Sequence, residues 1–110
     1  MSDEYYYRKQ RSPENLKFFD KEMLDAFGKF NSLVMKEGRL PKKVKELIAV
    51  ACAYNARCPW CIEGHTKAAL RESATKEEIA DAIAIAAALS AGAAMAHRGF
   101  ALDVEKPESK

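Results

Sequence analysis

From Ala82 to Ala96 the chain runs for 15 residues without a charge, and most of them are alanine. A helix with small side chains on every face lets its neighbours approach closely, and an apolar circumference asks for burial all round. A chain of 110 residues hardly provides that much cover by itself, so a second subunit is expected to help. A lipid environment is not expected. The stretch is short of the roughly 20 apolar residues that span a bilayer, and alanine is only weakly apolar. The first expectation is therefore an all-α, compact helical bundle whose central helix also mediates a homo-oligomer.

The rest of the chain supplies the partner helices. Thr75 and Glu78 form a Thr-x-x-Glu capping box that starts the alanine-rich helix. Upstream, Ser12 and Pro13 offer an N-cap and a first-turn proline. Leu16, Phe19, Met23, Phe27, Phe30 and Val34 then recur every three or four residues, which predicts one helix ending near Gly38 with this stripe in the core. Pro41 opens a second helix through Ala56, with Arg39, Lys42, Lys43 and Lys45 as a solvated surface around its start. A third runs from about Pro59 to Arg71. Residues 1–11 read as an N-terminal arm and 103–110 as a polar tail, which leaves a single domain with its core between about 13 and 102.

Composition narrows the function classes. Hydrophobic residues at 48% and charged residues at 31% describe a soluble globular chain. A net charge of +2 and a pI near 8.4 fall short of the nucleic-acid cue of a pI above about 9. Three cysteines and no visible secretory leader suggest a reducing cytoplasm, where a Cys-x-x-Cys is catalytic or metal-binding.

That motif lies in Arg57-Cys58-Pro59-Trp60-Cys61-Ile62-Glu63-Gly64-His65. Pro59 fits only a first helical turn, so Cys58 falls at or just before a helix N-terminus and Cys61 within its first turn. Free N–H groups and the positive end of the helix dipole favour a thiolate there. Arg57 adds a cation, so at least one thiol should titrate below its free value of about 8.5. Residues i and i+3 are neighbours on a helix, close enough for the pair to cycle between dithiol and disulfide. His65 lies four residues beyond Cys61 on the same stripe, placed to take or return a proton. Glu46 is the last charge before the uncharged run from Leu47 to Ala56, which suggests a carboxylate facing a dry interior. If its helix folds back beside the third, Glu46 meets His65. Cys52, within that run, reads as a small buried hydrophobe, and His97 as a histidine ending the alanine-rich helix.

The pattern Glu46-x11-Cys58-x2-Cys61-x3-His65, followed by Thr75-Lys76-Glu77-Glu78-Ile79 and a long alanine-rich helix, resembles the alkylhydroperoxidase D-like proteins of the carboxymuconolactone decarboxylase superfamily. The likeness covers residues 40 to 100. It implies a thiol peroxidase in which Cys61 attacks a hydroperoxide, Cys58 resolves the product, and Glu46 and His65 move protons. It also implies that no cofactor or metal takes part, that a lipoamide-type dithiol re-reduces the disulfide, and that the chain forms a trimer or hexamer. Some members carry a histidine immediately before the second cysteine, where this chain has Trp60.

Other readings use the same residues. Structural zinc could draw on Cys58, Cys61 and His65 with Cys52, Glu46 or His97 as a fourth ligand, although such sites normally spread two ligand pairs over a turn and a helix. A thioredoxin-like domain expects a strand before the cysteines, and none is visible. A lactone decarboxylase or a non-catalytic oligomeric protein completes the set.

Overall fold

The structure, a computed structural model, describes residue 11 and residues 13–108. Residues 1–10 of the expected arm, the Ser12 cap and residues 109–110 of the tail lie outside the described residues. Within them the protein is all-α: a 3-10 helix, Pro13–Phe18, precedes α1 (Lys21–Met35), α2 (Lys42–Ala56), α3 (Pro59–Arg71), α4 (Lys76–Ala96) and the short α5 (Gly99–Leu102). No strand occurs among the described residues.

The first expected helix is two elements. Asp20, with φ −63° and ψ 127°, leaves helical geometry, and its carboxylate accepts from the N–H of Glu22 at 3.1 Å. A short acceptor side chain at such a position satisfies an otherwise unpaired N–H and starts a new helix.

Helices α2, α3 and α4 make the packed unit. Lys43 pairs with Glu78 at 2.8 Å, and Ser90 Oγ donates to Asn55 Oδ1 at 2.7 Å. The offset is the same in both pairs, so α2 and α4 run parallel in one register, with α3 returning between them in sequence. Val50, Ala69, Ala74 and Ile79 form the buried cluster, flanked by Leu47 and Ile83. Both connections are tight and pass through a non-glycine residue in the left-handed region, Arg57 at φ 57° and Ser73 at φ 68°. Each costs roughly 1–2 kcal/mol of backbone strain. Arg57 offsets it by donating its N–H to the carbonyls of Ala53 and Tyr54, and Ser73 by donating to that of Leu70.

Two burial expectations fail within one copy of the chain. Residues Phe19, Met23, Phe27, Phe30 and Val34 are exposed rather than core, with Phe27 and Phe30 each 63% accessible, and α1 has no buried residue. It meets the rest of the molecule at its C-terminal end, where Lys45 Nζ donates to the carbonyls of Val34 and Lys36. Helix α4 is not covered all round either: Ile79, Ala82 and Ala86 are buried, whereas Ile85, Leu89 and Met95 are open. Length explains Met95: Asn55, at the end of α2, already faces Ser90, and α4 continues to Ala96 with no further turn of α2 beside it. Ile85 and Leu89 lie before Ser90 and face an open groove between α2 and α4. The accessible surface is 9400 Å², where a compact monomer of this mass exposes roughly 6,100 Å². Among the described residues, the run Lys76–Leu102 is long and apolar enough to cross a membrane by length and composition alone.

The start of α4 has the expected capping box. Thr75 Oγ1 accepts from the N–H of Glu78 at 3.1 Å, and Glu78 Oε1 accepts from the N–H of Thr75 at 2.8 Å. The hydrogen bond from Lys43, the bond from the Thr75 backbone and the lysine's charge hold the Glu78 carboxyl below its usual range. A carboxylate depressed in the fold contributes stability above its unfolded pKa of about 4.3 and loses it as pH falls through the lower folded value. Thermal melts should therefore weaken as pH drops below about 4.3, and Glu78→Gln should remove part of that acid dependence. The change is small because both side chains are partly exposed. An identical acid profile in the variant would show that the pair contributes nothing.

Candidate active site

Residues Glu46, Val50 and Ala53 are the buried residues of α2, spaced i, i+4 and i+7 on one face. Val50 joins the buried cluster that Ala69 of α3 completes. Glu46 is 4% exposed, and His65 Nδ1 donates to its Oε2 at 2.8 Å. An ionised carboxylate can only accept, so this bond places the Nδ1 proton and leaves Nε2 of a neutral ring as the acceptor. The His65 side chain remains 35% accessible, so the pair joins a dry carboxylate to a ring that solvent can reach.

The thiols sit at the turn of the same hairpin, with Cys61 one helical turn before His65. The left-handed Arg57 ends α2, and the Cys58 N–H still donates to the carbonyl of Ala53. Cys58, with φ −109° and ψ 97°, is the N-cap of α3, and its Sγ accepts from the N–H of Cys61 at 3.3 Å. Pro59 follows in the first turn, where its missing N–H costs nothing. Cys58 and Cys61 are joined as a disulfide, with Cα atoms 5.2 Å apart. Both are half-buried, as is His65 one turn further along. Opening this bond by two electrons and two protons would deliver two thiols to a helix N-terminus, where the free N–H groups and the dipole favour a thiolate.

Two expectations about neighbouring residues change or gain detail. Cys52 is exposed, not buried. It lies two residues past Val50, off the face that Glu46, Val50 and Ala53 define, and that spacing was available in the sequence. His97 caps the C-terminus of α4, its Nδ1 2.7 Å from the Ala93 carbonyl and its ring 5.5 Å from that of Phe100. The zinc reading needs at least three of its ligands to converge. Among the described residues, no group of three or more His, Cys, Asp or Glu side chains is arranged to hold a metal ion. The left-handed Arg57, which sets the angle between the two helices of the site, carried no sequence signal because glycine is the usual residue there.

Residues 21–103 match the model of the carboxymuconolactone decarboxylase family. The chain belongs to that family. The matched span takes in α1 to α5 and every residue of the Glu46, Cys58, Cys61 and His65 pattern, so the alkylhydroperoxidase D-like resemblance falls inside it. Among curated relatives, a protein of Paracoccus denitrificans described as "Uncharacterized protein 4 in cox locus" is 54% identical over 80 residues, 73% of this chain and 72% of its own. An uncharacterised protein of Cupriavidus necator is 44% identical over 62 residues, 56% of this chain and 55% of its own. A crystal structure of a protein from Methanobacterium thermoautotrophicum shares the fold with a TM-score of 0.69 at 37% identity, covering 74% of this chain and 93% of that one.

Proposed function

We propose that this family member is a thiol peroxidase working through the Cys58–Cys61 pair. The observation that supports this reading best is the combination on one helical hairpin of a disulfide at a helix N-terminus with a buried glutamate hydrogen-bonded to histidine. In the reduced protein the Cys61 thiolate attacks the terminal oxygen of a hydroperoxide. The O–O bond breaks, the alcohol leaves with a proton, and Cys61 becomes a sulfenic acid. The Cys58 thiolate then attacks that sulfur, water departs, and the disulfide forms. His65, oriented by Glu46, takes the thiol proton through Nε2 and returns it to the leaving oxygen. No cofactor or metal is needed.

A dithiol of the lipoamide type supplies the two electrons and two protons that reopen the disulfide. The reaction takes place in the cytoplasm, in a homo-oligomer that the family resemblance makes a trimer or hexamer. The decisive assay follows hydroperoxide loss in the presence of dihydrolipoamide. Catalytic turnover supports the proposal, and loss no faster than with the dithiol alone rejects it.

A further inference from the structure

We propose that α1 is shared between copies of this chain, with its apolar stripe lying in the groove between α2 and α4 of a neighbouring copy. The groove encloses about 430 Å³, and its wall is mostly apolar, with Ile48, Ile85 and Leu89 among its large side chains. Parallel packing of α2 against α4 leaves a trough along their outer side, the shape that receives a third helix by its i, i+3, i+4 and i+7 residues. Met23, Phe27, Phe30 and Val34 supply such a stripe, on a helix about 22 Å long.

A copy's own α1 does not fill its groove. The Lys45 ammonium grips the carbonyls of Val34 and Lys36, and Val34 and Met35 sit over a hollow that includes Ile48 and Cys52. This clamp fixes the end of α1 at the mouth of the groove, and the helix leaves from there with Phe27 and Phe30 in the open. Two complementary apolar surfaces on one chain, held apart by that clamp, are satisfied when copies trade helices. The area suffices: one copy, with the terminal residues outside the described ones included, exposes roughly 3,000 Å² more than a compact chain of its mass, well above the about 800 Å² that a standard interface takes from each partner.

Cys52 lines the groove and is free, which gives a direct test. Phe27→Cys is made in a Cys58→Ser/Cys61→Ser background, and isotope-labelled and unlabelled protein are refolded together and treated with a short bismaleimide. Links between positions 27 and 52 that join labelled to unlabelled peptide are expected. Links within one isotopic copy only would mean that α1 folds back on its own chain, and no 27–52 link would mean that α1 docks elsewhere. Either result overturns the proposal. Separately, light scattering of the unmodified chain should give a multiple of 12.3 kDa. Phe27→Asp/Phe30→Asp should lower that mass while the circular dichroism stays helical. A 12.3 kDa mass for the unmodified chain, with or without binding to phosphatidylcholine vesicles, also overturns the proposal.

Discussion

Cys61→Ser is expected to abolish hydroperoxide reduction, because a serine hydroxyl does not ionise near neutral pH and cannot form the sulfenic acid on which the cycle turns. Cys58→Ser fails differently. Peroxide still oxidises Cys61, but no second sulfur displaces water, so the protein stops as a sulfenic acid that a dimedone-type reagent traps. The unmodified protein, treated alike, loses two thiols and gains the Cys58–Cys61 bond, whose geometry is already in place. Cys52 is free and stands outside the Cys58–Cys61 pair, so its peptide, alkylated after denaturation, serves as an internal control for mass spectrometry in all three proteins. A sulfenic acid trapped on Cys58 in Cys61→Ser would reverse the two roles. Failure to trap one in either variant, with peroxide untouched, would end the peroxidase reading.

The second large effect concerns the proton path. Glu46→Gln keeps the shape of the buried side chain and a hydrogen bond to the ring, but it removes the carboxylate that fixes the Nδ1 proton. The fold should survive. Peroxide-driven thiol oxidation should slow by about 10²–10⁴-fold, the usual worth of a positioned general base. His65→Asn should lose a similar factor, and combining the two should cost little more than either alone, since the residues act as a unit. Additive losses would separate Glu46 from the relay and leave it a structural group. Single-turnover oxidation is the measurement to use, because it is independent of the reductant.

The redox hairpin was legible in the sequence because its signals are local. Pro59 and the Thr75–Glu78 box mark helix starts through backbone geometry alone, and the uncharged run after Glu46 shows that something must cover it. Asp20 was legible in principle: an aspartate inside an apolar stripe competes for the backbone, yet the regular spacing of Phe19, Met23 and Phe27 across it outweighed that signal. The burial of α1 and α4 could not be read from one chain. Periodicity shows which face of a helix is apolar and says nothing of what lies against it, and here the apolar faces of α1 and of the end of α4 are uncovered by the rest of the described residues. Cys52 was misplaced for the same reason, compounded by reading the composition of its run instead of its angular position around α2.

The two-residue connection between α2 and α3 has a kinetic consequence. Glu46 and His65 are only 19 residues apart, and the two sulfurs are three apart. Closing such short loops costs little chain entropy, and contacts of this range form early in folding. A newly made chain can therefore bring Glu46 beside His65 and Cys58 beside Cys61 within the helical hairpin by itself. The rate of that step is set by the chain alone and is independent of protein concentration, whereas the proposed trading of α1 would slow with dilution. Under that proposal, scarcity of the protein delays the quaternary structure without delaying assembly of the site.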